Sequence, residues 1–190
     1  MTLSPWHQHE LNHIRGLGDR WEDMRFPVTT INPPGVASDP DIDPNTGLLL
    51  FDAASTELIF VVAQMSHTWD EGTGIRPHIH WFKTTSAEGD VAWRCRYRMF
   101  PIGDVGDAEW QDLGMFTTPP VSDNDTALTH ALTSFGEIDM TGLTLSDMII
   151  FEISRVGGDA SDTYGADVAL LEFDIHFIIN SRGSRGEFIK

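Results

Sequence analysis

Cysteine is nearly missing from this chain. The single Cys95 excludes an intramolecular disulfide and any cysteine-based zinc site. Basic residues are scarce too: 12 Lys and Arg against 29 Asp and Glu leave a net charge of −17. Such an excess of negative charge disfavours binding to nucleic acid or to an anionic membrane. No apolar run approaches the about 20 residues of a membrane-spanning helix. The opening Met-Thr-Leu-Ser-Pro-Trp-His lacks the basic-then-apolar pattern of a signal peptide, so a soluble chain not exported by that route is expected. A phosphate-binding glycine loop, a Gly-x-Ser-x-Gly elbow and a Cys/His pair at catalytic spacing are all absent. So are an internal repeat and a long amphipathic helical pattern.

What is present is strand periodicity. In Val91–Phe100, Trp93, Cys95, Tyr97 and Met99 alternate strictly with Arg94, Arg96 and Arg98. That pattern predicts a strand with an apolar face, a basic face and a buried, inert thiol. Ile75–Phe82 reads as another strand, with His78, His80 and Phe82 on one side and Ile79 and Trp81 on the other. Met148–Val156 sets Ile149, Phe151 and Ile153 against Ile150, Glu152 and Ser154. In Val168–Asn180 the alternation predicts Leu171, Phe173, Ile175, Phe177 and Ile179 on one face and Glu172, Asp174 and His176 on the other. Leu58–Ala63 is apolar on both faces, as for a strand covered from both sides. Shorter strands are expected at Leu48–Phe51, at Trp110–Phe116 and within Thr126–Ile138.

The 190 residues suffice for one domain with a sizeable core. About seven or eight strands at regular spacing predict an all-β fold, an antiparallel two-sheet β-sandwich of jelly-roll type. Residues 1–26 are expected to form a mostly irregular N-terminal arm, 27–180 the sandwich and 181–190 a C-terminal tail. Trp6 and Trp21 in the arm predict packing on the domain or on a neighbour, because an exposed indole gains nothing in water. Residues 27–47, with five prolines and Asp39, Asp41 and Asp43, predict a solvated loop rather than a calcium site.

Three strands therefore carry strongly polar faces: His78/His80, Arg94/Arg96/Arg98 and Glu172/Asp174/His176. If these strands are neighbours, the arginines can pair with Glu172 and Asp174, and such a lattice fixes register when another subunit covers it. Trp6, Trp21, His78, His80, Arg94, Arg96, Arg98, Glu172, Asp174 and His176 are accordingly the candidate interface residues. No catalytic residue and no cofactor or metal is assigned. The alternative is a cupin-like metal enzyme, with His78 and His80 on an inward strand and Glu172 or His176 completing the ligand set. Against it, no Glu follows the His-x-His at the required distance, and Trp81-Phe82 suits packing better than an open site. The loop aromatics Trp69, Trp110 and Tyr164 read as anchors before they read as a carbohydrate platform.

Trp21-Glu-Asp-Met-Arg-Phe-Pro, Pro77-His-Ile-His-Trp, Asp162-Thr-Tyr-Gly-Ala-Asp-Val-Ala-Leu-Leu-Glu-Phe-Asp-Ile-His-Phe and the closing Gly183-Ser-Arg-Gly-Glu-Phe-Ile-Lys190 resemble a group of tailed-bacteriophage structural proteins, some of them head-associated or decoration proteins. The resemblance runs from about Trp21 to the C-terminus. It implies a virion component and not an enzyme, made in the bacterial host cytoplasm. Within that class the expectation is a homotrimeric capsid cement protein on the head exterior, in contact with the major capsid protein. A tail, neck or fibre-associated jelly roll that binds a receptor or glycan is the alternative.

Overall fold

A computed structural model describes residues 19–118, 127–180 and 183–184. Ten strands run in chain order: β1 (Arg20–Pro27), β2 (Asp41–Ile42), β3 (Leu49–Phe51), β4 (Thr56–Gln64), β5 (Ile75–Lys83), β6 (Val91–Phe100), β7 (Gln111–Thr118), β8 (His130–Ser134), β9 (Met148–Val156) and β10 (Val168–Ile179). The helical element among the described residues is one 3-10 turn, Val28–Thr30. No helix there is long and apolar enough to cross a membrane.

Two antiparallel sheets form a sandwich. One runs β2-β3-β10-β5-β8, with β1 also paired to β10; the other runs β4-β9-β6-β7. Taking β3 to β10 as eight successive strands, the sheets hold the first, eighth, third and sixth, and the second, seventh, fourth and fifth. This is jelly-roll winding, in which each early strand crosses to the opposite sheet. The inward faces supply one core: Ile59, Val61 and Ala63 from β4, Ile79 and Trp81 from β5, Trp93 and Cys95 from β6, Ile149, Phe151 and Ile153 from β9, and Phe173, Ile175 and Phe177 from β10. Trp81 fits inside because its indole N–H donates to Thr133 Oγ1 at 2.9 Å.

Three expectations are corrected. Residues 20–26 are no irregular arm; they form most of β1, paired with β10 from Arg20↔Ile179 to Pro27↔Glu172. The sequence shows why, since Met24 and Phe26 alternate with Trp21, Asp23 and Arg25, and Phe26 packs on Phe173. The strand β4 is not covered on both sides. It ends its sheet, and Phe60 (37% exposed) and Val62 (53%) face outward. Leu171 does not join Phe173 and Ile175 in the core. A register shift between Leu170 and Glu172 inserts one residue, so Val168 and Leu170 face inward before the shift and Phe173 after it.

The other strands lie close to their predicted spans, with the Thr126–Ile138 segment reduced to β8. Asp39 and Asp43 cap turns of their own loop: Asp39 Oδ2 accepts from the Gly35 amide at 2.7 Å and Asp43 Oδ1 from the Asn45 amide at 3.0 Å. Trp6, with the rest of residues 1–18, and all of the tail except residues 183–184 lie outside the described residues.

Candidate functional site: two polar outer faces

The two sheets place the polar sets on opposite sides of the molecule. The strand β6 is in one sheet and β10 in the other, so Arg94, Arg96 and Arg98 never meet Glu172 or Asp174. The expected lattice between them is corrected, because strand neighbourhood follows the winding and not the charges. Arg96 Nε instead donates to Glu152 Oε1 on β9 at 2.7 Å, and Arg94 Nε to Asp112 Oδ2 on β7 at 3.1 Å. The Arg98 guanidinium lies over the Trp110 ring, 4.7 Å from its centre, and Trp110 stacks on Phe60 with ring centres 5.9 Å apart. Trp110 is thus part of this face, whereas Trp69 and Tyr164 are buried anchors.

On the other sheet, β1, β10, β5 and β8 bring four outward rows together. Register sets Asp174 beside both His78 and Arg25, and His176 beside both Asp23 and Arg76. Arg25 grips Glu172 with two bonds of 2.6 Å, Nε to Oε1 and Nη2 to Oε2. His176 Nε2 lies 2.8 Å from Asp23 Oδ1. His80 Nε2 lies 3.3 Å from Asp174 Oδ2, and its Nδ1 lies 2.7 Å from Nε2 of His130. His78 Nε2 abuts Asp174 Oδ1, and its ring centre is 4.1 Å from that of His176. His78, Glu172 and Asp174 are buried although they belong to an outer face, because the neighbouring polar side chains cover them. Trp21 (45% exposed) and Leu132 (47%) border the cluster, and the Arg76 guanidinium sits over the Trp21 ring at 4.8 Å.

The cluster splits its imidazoles. Burial pushes His78 down, but the Asp174 carboxylate and the Arg76 carbonyl beside it outweigh that, so its pKa stands above the usual histidine value. His80 goes the other way: burial lowers it, the nearby His78 and His130 add to the effect, and the attraction of Asp174 does not compensate. The two rings are thus pushed in opposite directions, and the two nitrogens of His80 face Asp174 and His130.

The inward position that a cupin-like site requires belongs to Ile79 and Trp81; His78 and His80 point outward, away from the core. Five of the expected residues, His78, His80, Glu172, Asp174 and His176, do converge, and Trp21 joins them at the edge. Asp23, Arg25 and His130 were missed on this face, and Glu152 and Asp112 on the other. A signal for Asp23 and Arg25 existed in their alternation with Met24 and Phe26. Nothing local connects His130 to His80, fifty positions away.

No family model matches the chain, and no curated protein matches it. Among solved structures it is similar to an insecticidal delta-endotoxin from Bacillus thuringiensis (11% identity, TM-score 0.47), over 84% of this chain and 24% of that one. It is also similar to a chain from infectious bursal disease virus, Gx strain (12%, 0.41), over 86% of this chain and 33% of that one. A third is a xylan-binding module (8%, 0.45), matched over 86% of this chain and 100% of the module. The chain thus spans about a quarter and a third of the length of the first two.

Proposed function

We propose that this chain is a non-enzymatic structural protein of a tailed-bacteriophage virion, assembling as a homotrimer on the head exterior and acting as a cement for the shell. The observation that carries the reading is the outer face of the β1-β10-β5-β8 sheet. It combines buried, mutually paired polar groups with exposed Trp21 and Leu132 at its border. Polar pairs of this kind fix register and partner choice, while the apolar border gains by being covered. The resemblance of the Trp21, Pro77 and Asp162 segments to virion structural proteins supports the setting. The net charge of −17 suits a surface turned away from packaged DNA.

Native mass spectrometry of the full chain tests the assembly. A trimer is expected, and Trp21→Ser with Leu132→Ser should yield folded monomers. A monomer in the unsubstituted protein at tens of micromolar would overturn the subunit contact, and release of the protein with tails and not with capsids on mild virion dissociation would overturn the head position.

Trp110 favours a second reading, a tail- or fibre-associated glycan binder. Its ring lies on the outer face of the β4-β9-β6-β7 sheet beside Phe60, flanked by Arg98. Aromatic faces next to hydrogen-bond donors are what a sugar ring stacks on. Binding on a glycan array that disappears in Trp110→Ala would favour this reading over the cement.

A further inference from the structure

We propose that His78, Asp174 and His176 form a binding site for one divalent transition-metal ion, zinc being the first candidate. The site holds the outer sheet face together and has no catalytic part. It stands independently of the virion reading, because it rests only on the chemistry of three side chains, and it departs from the metal-free expectation drawn from the sequence.

One atom of each residue, a ring nitrogen or a carboxylate oxygen, lies within 4.8 Å of those of the other two. Around an ion bound at about 2.1 Å, ligand atoms sit roughly 3–4 Å apart, so the three need only small side-chain adjustments to share one. Two imidazoles and one carboxylate suit zinc, iron or manganese.

Asp174 supplies the independent observation. The residue is 4% exposed, and its Oδ1 is sealed from solvent with His78 Nε2 against it. A buried carboxylate needs a positive partner, which is the protonated His78 ring in the metal-free protein and would be the ion in the loaded one. Its other oxygen is accounted for by His80 Nε2 at 3.3 Å. The atom facing Oδ1 is His78 Nε2. The other nitrogen of that ring, Nδ1, faces the Arg76 carbonyl at 3.5 Å, and a carbonyl can only accept. In the metal-free protein the Asp174 carboxylate favours the protonated His78 ring, and a cation bound between Nε2 and Oδ1 takes the place of that proton.

The surroundings match what metal-binding imidazoles need. Asp23 Oδ1 holds His176 Nε2 at 2.8 Å, which leaves Nδ1 of that ring for the ion. A carboxylate behind a ligating histidine fixes its tautomer and raises its basicity. His130 and His80 form a relay that orients the Asp174 carboxylate from behind. His80 is thus a positioning residue and not a ligand, although its spacing from His78 first suggests a pair.

The test uses full-length protein treated with chelator and then titrated with Zn2+ by calorimetry, with Co2+ absorption as a second readout. One ion per chain is expected at this site, with a rise in Tm on addition. His176→Ala, at a half-exposed position, and the near-isosteric Asp174→Asn should each weaken binding by more than roughly a hundredfold. Asp23→Asn should weaken it by roughly 10–100-fold while the metal-free protein stays folded. Absence of Zn2+ binding at millimolar concentration would overturn the site and leave a protonated His78 as the partner of Asp174. Equal binding in the parent, His176→Ala and Asp174→Asn would also overturn it, placing the ion elsewhere. Either result leaves the oligomer test untouched.

Discussion

Arg155 and Asp162 form an ion pair from which solvent is entirely excluded, with Nε and Nη2 of the arginine donating to the two carboxylate oxygens at 2.9 and 2.8 Å. The guanidinium also donates to the carbonyl oxygens of Phe51, Tyr164 and Ala166 at 2.9, 2.6 and 2.8 Å. All its hydrogen-bonding capacity is thus used inside the protein, which is the condition under which a charge can be buried. The Tyr164 hydroxyl in turn accepts from the Thr85 amide at 2.9 Å. The segment Asp162-Thr-Tyr-Gly, the most distinctive in the sequence, is therefore a clamp that fastens the loop between β9 and β10 to β3 and the end of β5. Its role is structural.

Arg155→Met should destabilise the fold by about 3–5 kcal/mol, because Asp162 and three carbonyl groups lose their partner while buried. Replacing both members, Arg155→Met with Asp162→Asn, should recover part of that loss. Urea unfolding of the parent and the two variants measures it, and Arg155→Met within about 0.5 kcal/mol of the parent would refute the clamp.

Neighbouring leucines in β10 should behave oppositely. Leu170→Ala removes a fully buried side chain and is expected to cost about 2–5 kcal/mol. Leu171→Ser, at the register shift, should cost under about 1 kcal/mol. Equal costs would mean that the strand runs without the inserted residue.

The two arginines of β6 should also separate. Glu152 is buried and depends on Arg96, so Arg96→Ala should cost about 1–3 kcal/mol. Arg94 and Asp112 form an exposed pair, and Arg94→Ala should stay within about 0.5 kcal/mol. Thermal unfolding of both variants under one buffer decides.

In chelator-treated protein, imidazole NMR should find His78 titrating above and His80 below the ordinary histidine range. With its folded pKa raised, His78 contributes stability that is fully present below about pH 6.5 and is lost as pH rises through the folded value. His80, lowered, contributes stability present above about pH 6.5 and lost as pH falls toward its folded value. The two slopes oppose each other, so Asp174→Asn, which removes the carboxylate that raises His78, should leave stability falling more steeply on acidification. Both imidazoles titrating at the ordinary value would disprove the split.

Cys95 is sealed in the core, and burial, with Asp112 and Glu152 adding, pushes its thiol pKa far up. The folded protein should resist a thiol reagent at pH 8, and labelling should track global unfolding in urea. Fast labelling without denaturant would show that β6 opens locally.

Much of the architecture was determined by the sequence alone. A period of two in Val91–Phe100, Ile75–Lys83 and Met148–Val156 dictates strands, and apolar residues on one side dictate a sandwich, because burial is decided by each residue's own chemistry. The position of Cys95 and the outward turn of His78 and His80 follow from the same alternation. What only the tertiary structure decided is who stands next to whom. Jelly-roll winding puts β6 beside β9 and β7, so Arg96 finds Glu152 and not Glu172, and it puts β1 and β5 on either side of β10, so Asp174 meets His78 and Arg25 together. It also carries His130 to His80, and one inserted residue in β10 turns Leu171 out of the core. Strand neighbours are set by the whole chain's hydrogen bonding and packing, and no local pattern encodes a partner fifty or a hundred residues away.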